Sequence, residues 1–565
     1  MNGIKFSIMI IFLLGFLDSG CSKGVKMEET VRLADLILIN GKIYTVNSAQ
    51  PWAEAVAIKC DRIIAVGSNK EVLKHAASAS LSTRIIDLAG SFVLPGFIDS
   101  HTHFIAGGHA LLSVKLRDVF SKEEFISRIA SQAKAISKSE WILNGDWDHQ
   151  QFSPPELPRK EWIDTVTPEN SVCVNRHDSH MVLANSLALK IAGITAATSA
   201  PPGGEIVKDP VTGEPTGILK DAAMDLVYSH IPEPSFQENL RAAETALKHA
   251  AENGVTSIHD MADASSFEVY QELQRLGKLT ARLTVYIPIT EVETLARLKL
   301  KSPFGNNRLK IGGLKGFVDG SLGSSTALFF EPYTDDPKAF GLLHAQMFPE
   351  GIMEKRIMRA DRAGLQVAVH AIGDRANAMI LDIFEKLIQQ NGPRDRRWRI
   401  EHAQHLRPED MERMARLGII GSVQPFHAID DGRWAEKKIG GDRCKTTHVF
   451  RSLLDRGVRL AFGSDWTVAP LNPISGIYAA VTRQTTDGKN PDGWFPEQKI
   501  SLEEAIRGYT LNAAFTEFSE HLKGTIESGK LADLVVLDGN LFEISSEKIQ
   551  GINVKISILD GKVVF

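Results

Sequence analysis

The chain has 565 residues, of which 43% are hydrophobic and 24% are charged, and this balance is typical of a globular protein. It excludes a collagen-like, coiled-coil or largely disordered chain. The 64 Lys and Arg against 69 Asp and Glu give a net charge of −5, and aromatic residues make up only 7%. We therefore expect no nucleic-acid partner, because such partners select for basic surfaces. At roughly 150 residues per domain, the length alone suggests three or four domains.

Residues 1–21, MNGIKFSIMIIFLLGFLDSGC, have the layout of an export signal. Lys5 precedes an apolar run over 6–17 that is too short to span a bilayer as a helix. The segment ends on Cys21 and resembles a bacterial lipoprotein cleavage site, although Asp18 departs from that pattern. We expect an exported protein of the periplasm or cell envelope, anchored to the membrane through a lipidated Cys21. A plain cleaved signal peptide is the alternative.

The other cysteines, Cys60, Cys173 and Cys444, are too far apart for a CxxC-type site. Four cysteines in so long a chain do not form a disulfide framework. We interpret these three as buried free thiols.

Both ends of the chain are rich in predicted β-strands. Residues 31–46 place Asn40-Gly41 between apolar runs, which is a strong hairpin signal, and 53–67 predict a second hairpin.

The last 35 residues repeat this style, with a turn at Asp560-Gly561. We predict a small composite β-sandwich built from residues 31–92 and 515–565.

The middle of the chain repeats another unit, in which an amphipathic helical segment ends on Gly and passes into an apolar β run. Gly adopts the left-handed conformation at helix ends at little cost. Such joints indicate βα units and a parallel sheet. We predict an α/β fold with a (β/α)₈ TIM-like barrel over residues 93–514. The alternative is an open doubly wound sheet, but its Gly-rich dinucleotide loop is not found. The joints lie at Gly254, Gly277, Gly364, Gly418 and Gly457.

Residues 105–235 interrupt this pattern with segments rich in Trp and Pro, such as WILNGDWDHQQFSPPELP. We predict a large insertion after the first barrel strand, forming a lid subdomain of the kind that covers an active site.

The first chemical motif is VLPGFIDSHTHF at 93–104, in which an apolar run ends in His101-Thr102-His103. Residues i and i+2 of a strand point to the same face. His101 and His103 can therefore share one metal ion at the carboxyl end of a strand, where barrel active sites lie.

Four more ionisable residues lie in or at the ends of other apolar runs, where an unpaired charge would be costly. Their spacing fits whole βα units and assigns the residue-bearing strands to barrel positions one, four, five, six and eight. These residues are Lys315, His370, His402 and Asp465.

Together these motifs resemble the amidohydrolase superfamily, in its type-3 group, which includes YtcJ-like proteins and N-substituted formamide deformylase. The matching segments are PGFIDSHTHF, GGLKGFVDGSLGSSTA, VAVHAIGDRA, RIEHAQ, FGSDW and KGTIESGKLADLVVLD. The resemblance covers residues 31–565. It implies an enzyme that hydrolyses a non-peptide carbon–nitrogen bond with a metal-activated hydroxide. One or two divalent cations, with zinc as the expected metal, would be its cofactors.

The resemblance also implies a role for each residue. His101, His103 and Asp465 would bind the more buried metal, and His370 and His402 would bind a second one. Asp465 would also be catalytic, accepting a proton from the attacking water and passing it to the leaving nitrogen.

Lys315 would be carboxylated and would bridge both metals. Burial depresses the pKa of a lysine, so its free amine can take up CO₂. The alternative is a structural salt bridge between Lys315 and Asp319, in which case the site would hold one metal.

Other site residues are less clearly marked. Trp147 and His180 in the insertion match positions where the group keeps similar residues, and we expect them, with Asp319, to contact substrate. Glu401 is expected to orient the adjacent His402. His427 could equally be an exposed loop histidine.

We therefore predict a hydrolase of small amides, with an N-substituted formamide as the candidate substrate. The alternatives are a deaminase or cyclic amidohydrolase with the same metal chemistry, and a lipid-anchored binding protein with a degraded site. The complete ligand set argues against the last. The expected partner is a small-molecule substrate, and a homo-oligomer stays open.

Overall fold

The computed structural model describes residues 32–76, 83–176, 181–201 and 204–565. The predicted export signal, with Cys21, and the predicted substrate contact His180 lie outside the described residues. Among the described helices, none has the length and apolarity needed to cross a membrane.

The N-terminal segment forms short strands that belong to two sheets. One sheet has the strand order β5-β4-β1-β6. The elements are β1 (Leu36–Ile39), β2 (Lys42–Tyr44), β3 (Trp52–Ala53), β4 (Ala55–Lys59), β5 (Arg62–Gly67), α1 (Asn69–Val72), β6 (Arg84–Asp87) and β7 (Phe92–Pro95).

The predicted hairpin at Asn40-Gly41 is wrong. Strand β1 pairs with β4 and β6, whereas β2 pairs with β3 and β7, so this turn connects two different sheets. The local turn signal is correct, since Asn40 has a φ of 56°, but long-range pairing decides which strands meet.

The second hairpin, β4–β5, is confirmed, with Lys59 opposite Arg62. Cys60 lies in its turn with a φ of 54° and is exposed, so its prediction as a buried thiol is wrong. Cys173 and Cys444 are buried, as predicted.

The first barrel strand is followed by the predicted large insertion, whose sheet has the order β12-β13-β11-β10-β9. The insertion has a hydrophobic core of its own around Phe125 and Trp147. The elements are β8 (Phe97–Thr102), α2 (Phe104–Leu112), α3 (Lys122–Ala135), β9 (Ile142–Trp147), α4 (Lys160–Ile163), β10 (Val172–Arg176), β11 (Met181–Ala184), α5 (Ser186–Ile191), β12 (Gly204–Lys208), β13 (Pro215–Asp221) and α6 (Asp225–Tyr228).

The chain then alternates between helices and strands. The next elements are α7 (Phe236–Glu252), β14 (Val255–Met261), α8 (Ala264–Arg275), β15 (Arg282–Pro288), α9 (Val292–Arg297), β16 (Phe304–Gly305), β17 (Leu309–Phe317), α10 (Ile352–Ala363), β18 (Val367–Ala371), α11 (Asp374–Asn391), β19 (Arg399–His402), α12 (Pro408–Leu417), β20 (Ile420–Val423), α13 (Pro425–Asp431), α14 (Ala435–Ile439), α15 (Gly441–Cys444), α16 (Phe450–Asp455), β21 (Leu460–Phe462), α17 (Pro473–Thr482), α18 (Leu502–Gly508) and α19 (Leu511–Thr516).

Within the described residues, eight parallel strands form a nearly closed barrel in the order β8-β14-β15-β17-β18-β19-β20-β21. The first and last strands meet at their carboxyl ends. There the Asp465 amide donates to the His101 carbonyl at 2.7 Å, and the His103 amide donates to the Trp466 carbonyl at 2.9 Å. The (β/α)₈ TIM-like fold is thus confirmed.

The helix–Gly–strand joints explain how each helix turns back into the sheet. All five predicted glycines have positive φ, between 67° and 81°. An L side chain is disfavoured in this conformation, whereas Gly adopts it freely.

The C-terminal segment adds β22 (Leu534–Leu537), β23 (Val554–Leu559) and β24 (Lys562–Val563). They join N-terminal strands in a sheet of order β24-β23-β22-β7-β2-β3, in which β22 runs antiparallel to β7. Side chains of both end sheets share one core that includes Leu38, Val56, Val93 and Leu534. The composite β-sandwich formed by both chain ends is confirmed, and its hairpin at Asp560 joins β23 to β24.

Candidate active site

The end of β8 and the loop after β21 bring two imidazoles and a carboxylate together. The Nε2 atoms of His101 and His103 lie 3.6 and 3.4 Å from Asp465 Oδ1. Ligand atoms of all three residues lie within 4.8 Å of one another. His101 is buried, whereas the His103 side chain is 42% exposed, so the group opens toward solvent. Two imidazoles and one carboxylate fit zinc and similar divalent cations.

Histidines from the neighbouring strands β18 and β19 complete the cluster of rings. The His402 ring centroid lies 4.5 Å from that of His370 and 4.9 Å from that of His101. His402 Nδ1 lies 2.7 Å from Gln424 Oε1. His370 Nε2 lies 3.0 Å from the Gly320 carbonyl. The structure thus brings the four predicted metal-binding histidines together.

Lys315 projects from β17 into the same space. Its side chain is almost fully buried, and Nζ lies 3.5 Å from His101 Nε2. Burial lowers the pKa of Lys315 to about 8. In the described part of the chain, no carboxylate lies within 4.0 Å of this nitrogen, and the alternative salt bridge with Asp319 is therefore not formed there.

Asp319 is engaged in another way. Its carboxylate accepts hydrogen bonds from the amides of Leu328, Ile372 and Gly373 at 2.8, 3.0 and 2.8 Å. Its Oδ1 also lies 3.4 Å from His370 Nε2. Asp319 therefore fixes the loops after β17 and β18 around His370, and its contact with substrate stays a prediction.

Trp147 lies in the hydrophobic core of the insertion. Its indole is fully buried and donates from Nε1 to the Val174 carbonyl at 2.8 Å. Its predicted contact with substrate stays a prediction.

A buried ion pair supports His101 from below. Arg399 donates to both oxygens of Glu401, at 2.7 and 3.0 Å, and Glu401 Oε2 lies 2.5 Å from His101 Nδ1. Burial alone would raise the pKa of Glu401, but Arg399 and His101 hold it well below its usual value. The carboxylate therefore accepts Nδ1–H and leaves the Nε2 lone pair of His101 free for a cation.

The prediction that Glu401 orients the adjacent His402 is wrong, because the Glu401 side chain contacts and orients His101. The His101 ring itself is neutral, since burial and the nearby Lys315 lower its pKa to about 4. Only a neutral imidazole can donate a lone pair to a metal.

Two of the predicted metal ligands have strained backbone conformations. His402 and Asp465 have φ values of 73° and 56°, in the left-handed region that residues other than Gly rarely adopt. Asp99 secures this arrangement, because Oδ1 accepts hydrogen bonds from the amides of Ser464 at 3.0 Å and His101 at 3.1 Å. Its side chain thereby ties the end of β8 to the loop that carries Asp465.

One further residue lies at the site without being predicted there. His427, at the start of α13, offers a ring nitrogen within 4.8 Å of ligand atoms of His402 and Asp465. The signal was present in the sequence, because His427 shortly follows the apolar run of β20, as the other site residues follow theirs.

Comparison with known proteins places this geometry in a family. The model of the amidohydrolase family, Amidohydro_3, matches residues 84–565. Protein LONG AFTER FAR-RED 3 of Arabidopsis thaliana is 41% identical over 546 residues, which cover 94% of this chain and 92% of that protein. N-substituted formamide deformylase of Arthrobacter pascens is 28% identical over 550 residues, which cover 94% of this chain and 98% of that enzyme.

Among solved structures, an uncharacterized metal-dependent hydrolase from Pyrococcus furiosus superposes with a TM-score of 0.74 at 30% identity. The match covers 89% of this chain and 99% of that one.

Proposed function

Because the chain belongs to the amidohydrolase family, we propose that it hydrolyses the non-peptide carbon–nitrogen bond of a small amide, with an N-substituted formamide as the first candidate. The proposal rests on the convergence of His101, His103 and Asp465, whose ligand atoms lie within 4.8 Å of one another at the open end of the barrel. The similarity to N-substituted formamide deformylase supports the general reaction, hydrolysis of a carbon–nitrogen bond, and makes N-substituted formamides the first substrates to test.

The metal we propose is zinc, held by His101, His103 and Asp465. A divalent cation bound there would polarise the amide carbonyl and lower the pKa of a water molecule. The protein supplies a neutral imidazole whose free Nε2 is fixed by Glu401, and a carboxylate that is ionised. Burial alone would raise the pKa of Asp465, but the hydrogen bond with His103 and the other nearby imidazoles hold it well below its usual value.

Asp465 would also carry the proton. Its carboxylate would accept a proton from the attacking water and deliver it to the leaving nitrogen as the carbon–nitrogen bond breaks. Amide and water are then converted into a carboxylic acid and an amine, and Asp465 returns to its ionised form.

A second cation would require another anionic ligand, and Lys315 can supply it. The neutral amine would attack CO₂, forming a nitrogen–carbon bond and releasing one proton to water. The resulting carbamate offers two oxygens beside His370 and His402. Burial of Lys315 without a carboxylate within 4.0 Å in the described chain supports this proposal.

Metal removal tests the proposed chemistry. Protein treated with a chelator and verified as metal-free should release no amine from a panel of N-substituted formamides, acetamides and lactams. Addition of Zn²⁺ should restore the reaction, fastest with formamides. Hydrolysis by verified metal-free protein would contradict the mechanism. Turnover of lactams alone would favour a cyclic amidohydrolase, and ammonia release from amino-substituted heterocycles would favour a deaminase.

We also propose that residues 1–21 direct export and that Cys21 is lipidated, as the sequence of this segment suggests. Mass spectrometry of the mature N-terminus checks this proposal. A lipid-modified cysteine at position 21 is expected, and Cys21→Ala should abolish the modification. An unmodified N-terminus would contradict the proposal.

A further inference from the structure

His427 lies beside the predicted metal ligands but is not one of the six. It belongs to the first turn of α13, which directly follows the barrel strand β20. Its ring is nearly parallel to that of His402, at an angle of 10° with the centroids 6.4 Å apart. His427 therefore forms part of the wall on the His402 side of the site.

The distance between ring centroids distinguishes His427 from the proposed ligands, although its ring nitrogen lies within 4.8 Å of ligand atoms of His402 and Asp465. With metal–nitrogen bonds of about 2.1 Å, two imidazoles on one tetrahedral cation have ring centroids roughly 5 Å apart. The pair His370–His402, at 4.5 Å, fits that geometry, whereas His402–His427, at 6.4 Å, does not. His427 thus faces the space beside a cation bound by His402.

The Nε2 atom of His427 is buried and has no hydrogen-bond partner among the described residues. Buried polar nitrogens nearly always have a partner, so one without a protein partner at the edge of the site can receive a group that enters there.

The carboxyl group of Asp431, on the same helix, does not fill this gap. Asp431, one turn further along α13, is held by Gln404 Nε2 at 2.5 Å and by His448 Nε2 at 3.0 Å. His448 is in turn anchored through its backbone, since its carbonyl accepts a hydrogen bond from Arg483 at 2.9 Å. This network fixes α13, and His427 Nε2 stays available for a group that enters the site.

We propose that His427 is a catalytic residue that binds the carbonyl oxygen of the substrate. Its Nε2–H would donate to this oxygen as negative charge develops on it, and the interaction would strengthen in the transition state. No proton is transferred and no bond to His427 forms or breaks. The inference rests on the proposed function, because it takes an amide carbonyl as the reacting group.

Two substitutions distinguish the two ring nitrogens. The amide nitrogen of Gln can occupy the place of His Nε2, whereas that of Asn reaches only the place of Nδ1. His427→Asn should lower kcat by roughly 10²–10³-fold, the effect of losing one oxyanion donor. His427→Gln should stay within about tenfold of the wild type, because it keeps a donor at the required place. His521→Ala, at an exposed position, is the control and should not change kcat.

Metal content and product binding provide readouts that do not depend on turnover. Both variants should bind as much metal as the wild type by plasma mass spectrometry. Calorimetry should show weaker binding of formate, the product carboxylate, by metal-loaded His427→Asn than by the wild type.

Several results would overturn the inference. One is an unchanged kcat in His427→Asn, and another is a larger loss of kcat in His427→Gln than in His427→Asn. A loss of bound metal in either variant would also overturn it, because His427 would then be a metal ligand. A wild type that hydrolyses none of the amides would refute the proposed function. Formate binding would still decide the role of His427, since equal affinities of the wild type and His427→Asn would overturn it.

Discussion

Two groups of ionisable side chains, most of them buried, occupy opposite ends of the barrel interior. The lower cluster, at the amino ends of the strands, consists of Glu517 with Lys310 and Lys523, whose Nζ atoms lie 2.9 and 2.6 Å from its carboxylate. The upper cluster, at the carboxyl ends, consists of His101, His103 and Asp465. The lower cluster pairs its charges internally, whereas the upper cluster places two imidazoles around one carboxylate, with their Nε2 atoms 3.6 and 3.4 Å from its Oδ1. The two ends of the barrel thus differ, because the charges are paired at one end, whereas the groups that we propose as metal ligands lie together at the other.

Arg399 connects these two clusters. On one side it forms the ion pair with Glu401 that supports His101. On the other side its Nη1 donates to His259 Nδ1 at 3.0 Å, and His259 Nε2 lies 3.6 Å from Glu517 Oε2. A continuous column of polar contacts therefore runs through the barrel, and each cluster can be disturbed separately to learn what it contributes.

The largest expected effect comes from the upper cluster. Asp465→Asn should lower kcat for amide hydrolysis by about 10²–10⁴-fold, because the amide side chain can neither take up the proton nor ligate as an anion. Steady-state kinetics with verified metal content check this expectation. Asp538→Asn, at an exposed position in the end sheets, is the matched control and should keep wild-type kcat. Wild-type turnover by Asp465→Asn would remove this residue from the mechanism.

The lower cluster should respond in stability instead. Glu517→Gln leaves the buried ammonium group of Lys523 and the partly buried one of Lys310 without their anion, which should lower the free energy of unfolding by about 3–5 kcal/mol. Urea unfolding measures this loss. Glu543→Gln removes one partner of the exposed pair with Lys42 and should cause no measurable change. Equal effects of the two substitutions would show that the lower cluster does not hold the barrel together.

The pH dependence of this loss sharpens the comparison. Burial alone would raise the pKa of Glu517, but Lys310 and Lys523 hold it well below its usual value. The stabilisation is then fully present above the unfolded carboxyl pKa of about 4.3 and is lost as the pH falls from there toward the folded pKa. The difference between wild type and Glu517→Gln should therefore be constant near neutral pH and shrink below about pH 4. A difference that persists unchanged at pH 3 would contradict this origin.

The ion pair between Arg399 and Glu401 connects the clusters and supports His101, so disturbing it should change the affinity of the site for metal. Glu401→Gln removes the negative charge that fixes the His101 tautomer, and metal affinity should fall about 10–100-fold. Competition with a chromophoric chelator measures the affinity. Glu409→Gln, at an exposed position on α12, is the control. An unchanged metal affinity in Glu401→Gln would show that His101 binds metal equally well without the carboxylate at its Nδ1.

Much of the candidate site, including the upper cluster and His370, could be predicted, because each proposed ligand interrupts or ends an apolar run in a regular βα series. His370 and Asp465 are polar residues that follow purely apolar strand segments, and such exceptions are conspicuous. The spacing between them then fixes the strand order, since a parallel barrel adds one strand for each βα unit.

The lower cluster and the connection could not be predicted, because most of their contacts link distant parts of the chain. Glu401 meets His101 across 300 residues, and the neighbouring His402 was the only partner that local reasoning could suggest. Glu517 and Lys523 lie in a polar segment that is typical of a surface loop. Only the closed barrel shows that this segment inserts its charges between the strand ends.

The smallest expected effect tests whether the column acts as one unit. Tyr286 accepts a hydrogen bond from Arg399 Nη1 at 3.0 Å and donates to Gln366 Oε1 at 2.9 Å. Burial raises its pKa to about 12, so the hydroxyl keeps its proton near neutral pH. Tyr286→Phe should lower the free energy of unfolding by about 1 kcal/mol. Tyr333→Phe removes another buried hydroxyl, which donates to the Ala327 carbonyl at 2.8 Å, and is the matched control outside the column.

Combining each substitution with Glu401→Gln separates the two cases. Because Tyr286 and Glu401 both contact Arg399, their effects should deviate from additivity by about 0.5–3 kcal/mol. Tyr333→Phe shares no partner with Glu401→Gln, so this pair should add within about 0.5 kcal/mol. If the Tyr286 pair were equally additive, Arg399 would serve Glu401 alone, and the two clusters would be independent despite their continuous contacts.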